Sequence, residues 1–312
     1  METIYLNQGQ GMTVNCVTTV GMFDGVHLGH RLVIGQVVEK ALACDLASAV
    51  VTFDRPPRLV LDPSFRPQLL TTLEEKKTVI GQLGVDTLVV LPFTWEMAAM
   101  SARVFMEQIL RGQLRTEVLI TGYDNRFGHD RAEGFDDYVR YGREMGMQVL
   151  RGDAQLMDDG QQPVSSSVIR QLLAVEGRVD LMPRYLARLY QLQGTVTAGE
   201  HIGHRLGYPT ANLVPDDTCK LVPAPGVYAV WATIVGERQP RAAMMNIGHR
   251  PTFQGSCQTL EVNILDFDGD LYGQKMSVSF AERLRAERRF DSLEGLAAQL
   301  KADKEQVKRI LR

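Results

Sequence analysis

Two histidines, His27 and His30, stand three residues apart in the stretch GMFDGVHLGH, and their types and spacing could do phosphate chemistry. The stretch follows an apolar run at residues 14–20 and precedes a helix-period segment, so it is predicted to join a strand to a helix. The first turn of a helix has unpaired N–H groups and the positive end of the dipole, and it binds anions. Gly25 and Gly29 let a ligand approach the backbone closely. The pattern favours a phosphate site over the alternative, a purely structural turn.

A run of serines in PVSSSVIRQLL, residues 163–173, provides a second predicted helix start. Ser165, Ser166 and Ser167 can cap a helix that begins near residue 167. Arg170, one turn later, offers a planar guanidinium to a phosphate, although a plain N-cap is the simpler alternative for the serines. The chain has neither the P-loop nor the dinucleotide glycine signature. The two helix starts together predict a triphosphate site.

The segment HRLGYPTANL, residues 204–213, is the third candidate. Pro209 fixes one backbone dihedral and Gly207 loosens the turn before it. Thr210 and Asn212 then place two oxygens on one face of an extended segment, which suits Mg²⁺ carrying substrate phosphates. The alternative is an ordinary turn in which these side chains bond their own backbone.

A carboxylate in the strand-like segment TLEVNILDF, residues 259–267, is the fourth candidate. Apolar and polar residues alternate there, so Glu261 lies on the face opposite its apolar neighbours. If the apolar face fills a barrel, Glu261 points outward. It is then either a solvated surface carboxylate or a general base for phosphoryl transfer.

The elements that position these residues differ between the two halves of the chain. Up to about residue 183, predicted strands alternate with predicted helices, which indicates an α/β, Rossmann-like parallel sheet with helices on both faces. The predicted strands are 14–20, 47–53, 85–91, 118–121 and 147–150, and the predicted helices are 32–43, 73–83, 102–111 and 135–145. Parallel sheets bind ligands at the carboxyl ends of their strands, where the histidine turn lies.

The second half has short strand-like runs separated by glycine and proline. These runs, at 192–196, 226–235, 242–247, 259–267 and 275–280, predict an antiparallel β-barrel, and residues 292–311 predict a C-terminal helix. The change of pattern near Pro183 predicts two domains, residues 1–184 and 185–312.

The composition of the chain limits the classes of partner that are expected for it. The 312 residues carry a net charge of -3, so nucleic acid is not expected as a partner. No apolar run is long enough for a membrane span, so no membrane association is predicted. Four widely spaced cysteines, without a CxxC pair, indicate reduced and mostly buried thiols in a cytoplasmic protein. The oligomeric state cannot be derived from the sequence.

The motifs resemble those of a known family. HxGH followed by SSSxxR is similar to the nucleotidylyltransferase superfamily, and GxDxxFG within TGYDNRFGHDRAEG, residues 121–134, resembles its flavin-adenylylating branch. The ordered series GYPTAN, PxPGVY, NIGxRPTF, LEVxILDF and LRxExxF resembles the riboflavin kinase module. The likeness covers nearly the whole chain and is to the bacterial bifunctional riboflavin kinase/FAD synthetases.

This resemblance implies that the C-terminal module phosphorylates riboflavin to FMN and that the N-terminal module adenylylates FMN to FAD, with ATP and Mg²⁺. The implied catalytic residues are His27, His30, Arg170 and Glu261. The implied ATP site of the adenylyltransferase contains Gly21, Phe23, Asp24, Gly25, His27, Gly29, His30, Ser165, Ser166, Ser167 and Arg170, with Asp124 and Phe127 at the flavin. In the kinase, Gly203, Gly207, Pro209, Thr210 and Asn212 are implied at ATP, and Thr210 and Asn212 at the metal.

The chain departs from the family pattern at FDRPPR, residues 53–58, where many members read FxPHP. It also reads Gly203-His204 before the PTAN turn, where members often have Gly-Arg. The missing histidine motivates an alternative hypothesis: a flavin-binding regulator, or a riboflavin kinase whose adenylylating half has decayed.

Overall fold

A computed structural model describes residues 1–6, 11–62, 64–123, 125–129, 132–154, 164–197, 208–237, 239–252 and 255–312. The chain divides into two compact units, Met1–Ser166 and Ser167–Arg312. Residues 167–184, which the sequence analysis groups with the first domain, thus belong to the second unit. They pack on its barrel: the Leu173 carbonyl accepts a hydrogen bond from the Ala224 N–H at 2.9 Å.

The first unit contains a parallel sheet in the order β1-β4-β3-β2-β5-β6. Its strands are β1 (Glu2–Tyr5), β2 (Cys16–Val20), β3 (Ala47–Phe53), β4 (Thr87–Leu91), β5 (Thr116–Thr121) and β6 (Gln148–Arg151). Each of the five predicted strands is present. The edge strand β1 was not predicted, because its ETIY sequence is short, partly exposed and has little apolar pattern.

Helices cover both faces of this sheet, as predicted. They are α1 (Leu28–Cys44), α2 (Pro57–Leu61), α3 (Leu73–Gly81), α4 (Trp95–Ala98), α5 (Ala102–Phe105) and α6 (Phe135–Met145). One face packs against Phe105, Leu110 and Tyr138, and the other packs against Ile34 and Ile80. The predicted helix at 102–111 keeps α-helical turns only in α5 and continues in wider π-helical turns over Met106–Gln113.

Helix α7 (Ser166–Gln171) starts at the last residue of the first unit and lies otherwise in the second. A π-helical segment (Leu172–Glu176), a 3₁₀ turn (Val179–Leu181) and α8 (Met182–Leu186) follow it. A closed antiparallel barrel follows, in the order β10-β11-β8-β7-β12-β9. Its strands are β7 (Tyr190–Thr197), β8 (Ala211–Pro215), β9 (Gly226–Ile234), β10 (Arg241–Thr252), β11 (Gly255–Ile264) and β12 (Lys275–Arg285). Strand β8 was not among the predicted strands, although the sequence predicts an extended segment at Thr210 and Asn212, with a turn as the alternative.

The C-terminal helix, α9 (Leu293–Ile310), lies against the outer face of the barrel. Val307 and Leu311 pack there with Val227 and Met244 from β9 and β10. Because successive strand residues point to opposite faces, the same strands bury one set of apolar side chains inside the barrel and another beneath α9. The predicted helix at 292–311 is confirmed.

A buried ion pair fastens α9 to the barrel. The Arg285 guanidinium donates to Asp303 from Nη2 at 2.8 Å and from Nε at 3.1 Å, and Asp303 is 1% exposed. Gln299 Nε2 adds a hydrogen bond to the same carboxylate at 2.6 Å. This pair is far more enclosed than the ion pair between Lys304 and Asp266 on the surface.

We therefore expect Asp303→Ala to lower the free energy of unfolding of the second unit by about 1.5–3 kcal/mol, because it removes the charged hydrogen bonds of the half-buried Arg285 guanidinium. Urea unfolding monitored by near-UV circular dichroism measures this change. The matched control, Lys304→Met, should cost less than about 1 kcal/mol. Equal losses for the two variants would contradict this account of the interface.

Within the described residues, no helix has both the length and the apolar character to cross a membrane. Cys16, Cys44 and Cys219 are free thiols. The expectation that the thiols are mostly buried is wrong for these three. Only Cys16 is buried, whereas Cys44 is exposed at the end of α1 and Cys219 is half-buried.

Candidate active sites

The turn between β2 and α1 has an unusual backbone. Phe23 and Val26 have φ values of 47° and 40°, and Gly25 has φ of 84°. Non-glycine residues rarely occupy this region, and a β-branched residue there is strained. A neighbouring loop holds the turn in place: the Asp24 carboxylate accepts from the Leu70 N–H at 3.0 Å, and Gly25 N–H donates to Thr71 Oγ1 at 3.0 Å. Asp24, a predicted ATP ligand, therefore also anchors the turn.

His27 is the N-cap of α1. Its Nδ1 accepts a hydrogen bond from the His30 N–H at 3.3 Å, and the residue is 6% exposed. An accepting Nδ1 carries no proton, so a neutral His27 holds its proton on Nε2. A Cβ on Gly29 would lie 3.2 Å from Cε1 of His27, so glycine leaves room for the ring in this position.

His30 stacks on His27 with ring centroids 3.6 Å apart and meets the edge of Phe23 at 5.2 Å. Burial and the charges of His27 and Lys76 hold the pKa of His30 well below its usual range, so its imidazole is neutral near pH 7. Within the described part of the chain, the buried Nδ1 of His30 has no hydrogen-bond partner. His30 is thus a neutral, ordered imidazole stacked on the ring that caps the start of α1.

One residue of the serine run, Ser166, contacts this turn. Ser166, the first residue of α7, donates from Oγ to the Asp24 carbonyl at 2.9 Å. Ser165 is half-buried beside it in the sequence. Ser167 and Arg170 follow within α7, which continues into the second unit, and their predicted contacts with phosphate remain predictions.

A mainly apolar cavity of about 540 Å³ lies at the carboxyl ends of β2, β3, β4 and β5. It is lined by Val20, Gly21, Met22, Phe53, Pro57, Leu61, Phe93, Met97, Ala98, Met100, Phe105, Asn125, Arg126, Phe127 and Gly128. The strand order reverses at β2: β3 and β4 lie on one side of it and β5 and β6 on the other, and such switch points bind ligands in α/β folds. Gly21 and Phe127, predicted at ATP and flavin, therefore share one cavity.

The wall of this cavity is rich in aromatic rings that pack on one another. Phe127 stacks on Tyr138 with centroids 4.2 Å apart, and Phe53 meets Phe93 edge-on at 5.3 Å. Asn125 Nδ2 donates to the Val20 carbonyl at 2.5 Å, which ties the wall to β2. Asp124, the other predicted flavin contact, lies outside the described residues.

Sequence reasoning missed most of this lining. Phe53, Phe93 and Asn125 each lie at or just beyond the carboxyl end of a strand, and that position was the signal available. Arg55, in the FDRPPR stretch, pairs with its neighbour Asp54 at 2.9 Å. Pro57, in the same stretch, is the first residue of α2. It lines the cavity together with Phe53.

In the second unit, the barrel register aligns polar residues across three strands. Glu261 on β11 pairs with Asn212 on β8 and with Asn246 on β10. Paired residues share a face of the sheet, so all three lie on one face. Glu261 and Asn246 line a cavity of about 310 Å³ on the outer face of the barrel, under α9. The alternation of apolar and polar residues in this strand predicts that Glu261 points outward in this way.

This outer cavity combines a polar base with apolar walls. Its lining comprises Tyr208, Thr210, Val227, Met244, Asn246, Glu261, Asn263, Arg285, Glu287, Arg288, Phe290, Leu296 and Leu300. Such a mixture suits an aromatic ring system whose polar tail reaches the carboxylate. The walls come from α9 and the segment before it, which the sequence reasoning did not connect to the site.

A second cavity, of about 410 Å³, opens on the other side of the PTAN segment and contains Pro209, Ala211, Phe267 and Tyr272 among its lining residues. Thr210 borders both cavities. Asn263 Nδ2 donates to the Pro209 carbonyl at 2.7 Å and holds the backbone just before Thr210. Gly203 and Gly207, predicted at ATP, lie outside the described residues.

The donors around Thr210 fit a magnesium ion. The Thr210 hydroxyl, the Asn212 amide oxygen and the Glu261 carboxylate are hard oxygen ligands of the kind that Mg²⁺ binds together with phosphate oxygens. Thr210 borders both cavities, Glu261 lines the outer one, and Asn212 pairs with Glu261 across β8 and β11.

Comparison with known proteins gives matches over both units. A family model described as FAD synthetase matches residues 10–168, and one described as riboflavin kinase matches residues 186–311. A bifunctional riboflavin kinase/FMN adenylyltransferase from Pseudomonas fluorescens is 38% identical over 92% of this chain and 90% of its own length. Proteins of the same description from Escherichia coli K12 and Listeria monocytogenes are 35% and 34% identical, over 95% and 99% of this chain and 93% and 98% of theirs.

Among solved structures, a protein from Streptococcus pneumoniae described as a macrolide-efflux protein superposes with a TM-score of 0.90. It is 30% identical in sequence, and the alignment covers 99% of both chains. The fold of the described residues therefore has a counterpart in an experimentally solved structure.

Proposed function

Because the chain belongs to the family of bifunctional riboflavin kinase/FMN adenylyltransferases, we propose how its residues carry out the two reactions of that family. The protein phosphorylates riboflavin to FMN and adenylylates FMN to FAD with release of pyrophosphate. One observation supports this assignment of the two sites. Each unit contains a cavity, and residues of that unit's sequence motifs line it.

In the kinase, riboflavin binds in the outer cavity and ATP binds in the cavity on the other side of Thr210. Glu261 accepts the proton of the ribityl 5′-hydroxyl as the hydroxyl oxygen bonds to the γ-phosphorus, and the bond from that phosphorus to the β,γ-bridging oxygen breaks to release ADP. Asn263 supports this arrangement by fixing the Pro209 carbonyl, and thereby the backbone that presents Thr210. Thr210 and Asn212 hold Mg²⁺, which neutralises phosphate charge when it is bound.

In the adenylyltransferase, the FMN ring binds in the aromatic cavity and ATP binds at the histidine turn. The FMN phosphate is already an anion, so its attack on the α-phosphorus needs positioning and charge stabilisation more than proton transfer. His27 donates from Nε2, His30 adds a second imidazole, and Ser165, Ser166, Ser167 and Arg170 hold the leaving pyrophosphate. Phe23, Asp24, Gly25 and Gly29 shape the turn, and Asp124 completes the flavin site.

A product assay tests both assignments together. Purified protein is incubated with riboflavin, excess ATP and Mg²⁺, and the flavins are separated over time. FMN should rise first and then give way to FAD. Accumulation of FMN without FAD would favour the alternative, in which the departure around Arg55 accompanies a decayed adenylylating half.

The space at Gly29 provides a sharper test of the histidine turn. Gly29→Ala should lower FAD formation at least tenfold, because its Cβ would meet the His27 ring at 3.2 Å and displace it. The control, Gly35→Ala, lies in the same helix where a Cβ meets nothing within 4 Å. It should stabilise α1 by up to about 1 kcal/mol and leave FAD formation unchanged. Equal activity of the two variants would contradict the proposed position of His27.

We further propose that the functional modules extend over residues 1–184 and 185–312, with riboflavin, FMN and ATP as the substrates. The α7–α8 region then belongs to the adenylylating module by function while it packs with the barrel. We retain a cytoplasmic location as a proposal, supported by the free thiols of Cys16, Cys44 and Cys219.

A further inference from the structure

A lysine lies buried behind the histidine turn. Lys76, on α3, is 3% exposed, and its Nζ donates to Thr52 Oγ1 at 3.1 Å. Thr52 in turn donates from Oγ1 to the Met22 carbonyl at 3.2 Å. A continuous chain of hydrogen bonds therefore runs from an ammonium group in α3, through β3, to the backbone of the turn.

The charge of this ammonium is incompletely compensated. Its described hydrogen bond is to a neutral hydroxyl, and a buried charge without an ionised partner in contact is costly. Burial lowers the pKa of Lys76 to about 8, although the charge of Asp24 acts in the opposite direction. The Asp24 carboxylate also accepts hydrogen bonds from the loop at Leu70 and Thr71, which share its negative charge.

An apolar residue would fill this place on α3 more cheaply, since Val79 and Ile80 on the same helix pack against the sheet. The reaction assigned to this site joins two anions, ATP and the FMN phosphate. A fixed cation that needs no reorganisation lowers the repulsion between them. Because Lys76 lies behind the turn, it acts on the bound phosphates without occupying the space that they need.

We propose that Lys76 is a positioning residue for adenylyl transfer: it holds the Gly21–His30 turn through Thr52 and presents a fixed positive charge to the phosphates from behind. The inference rests on the proposed function of this turn. Besides Asp24, His30 interacts with Lys76, and His27 interacts with His30. The positive charge of Lys76 thus also favours a neutral His30 on the phosphate side.

The first test compares Lys76→Met with Lys77→Met. Lys77 is the next residue on α3, but it pairs at the surface with Glu74 at 3.0 Å. Lys76→Met should lower kcat/KM for ATP in FAD formation by about 10-fold to 100-fold. FMN formation from riboflavin, which occurs in the other unit, should stay within twofold. Lys77→Met should leave both reactions within twofold.

The second test uses the pH dependence of the wild-type protein and does not depend on the folding of a variant. kcat/KM reports groups of the free enzyme, so FAD formation should decline as the pH rises through about 8 and Lys76 loses its proton. Lys76→Arg, which keeps its charge, should move this decline to higher pH. The kinase reaction, followed over the same range, corrects for changes in MgATP.

The outcomes separate the two levels of the proposal. A wild-type protein that forms no FAD overturns the proposed function of the turn itself. A wild-type protein that forms FAD with no decline between about pH 7 and 9.5 overturns the role of Lys76 alone. A folded Lys76→Met protein with unchanged kcat/KM at all pH values does the same.

Discussion

Replacement of Glu261 by glutamine should abolish most riboflavin kinase activity, with kcat lowered about 10²-fold to 10⁴-fold. The amide has nearly the same shape and can still occupy the row with Asn212 and Asn246, but it cannot accept the proton of the attacking hydroxyl. The measurement is the initial rate of FMN formation from riboflavin at saturating ATP. FAD formation from added FMN should be unchanged.

The control for this experiment is Asn246→Asp, which places a carboxylate one strand away in the same cavity. If any carboxylate in the row can act as the base, the double variant Glu261→Gln/Asn246→Asp should recover activity. We expect no recovery, because the base must reach the hydroxyl at the Thr210 border. Full activity of Glu261→Gln alone would remove Glu261 from the mechanism.

Replacement of His27 should have the opposite selectivity. His27→Ala should lower FAD formation roughly a hundredfold or more, since the loss of one transition-state donor costs about 2.7–4 kcal/mol in barrier height. FMN formation should be unaffected. The assay follows FAD from added FMN, so that the kinase step does not enter the measured rate.

The structure adds a complication to this variant, because His27 also caps α1. Alanine removes the cap and should destabilise the first unit by about 1 kcal/mol, whereas asparagine is a preferred N-cap and should restore that stability. His27→Asn should therefore melt like the wild type and still fail in FAD formation. Recovery of FAD formation by asparagine would show that the cap, and not the imidazole, is what the reaction requires.

The sequence predicts the framework of both units well, because alternating patterns and helix starts are local properties. The turn at His27 and the outward side of the strand at Glu261 follow from spacing alone. The row formed by Asn212, Glu261 and Asn246 does not, since strand register is decided by pairing between distant segments.

Lys76 shows the same limit more clearly. In LEEKK it is one of four charged residues at the start of α3, where a solvent-exposed face is the usual interpretation. Its burial is decided by how α3 rests on β3, and only that packing reveals the hydrogen bond to Thr52. The aromatic cavity was similarly hidden, because Phe53, Phe93 and Phe127 come from three separate strand ends.

The position of Thr210 between two cavities has a kinetic consequence. In the proposed arrangement the nucleotide and the flavin approach Thr210 from opposite sides, so neither substrate would block the path of the other. The two reactants of the kinase can then arrive in either order, and ADP can depart while FMN is still bound. We therefore expect initial-rate and product-inhibition plots to show a random sequential mechanism for the kinase reaction.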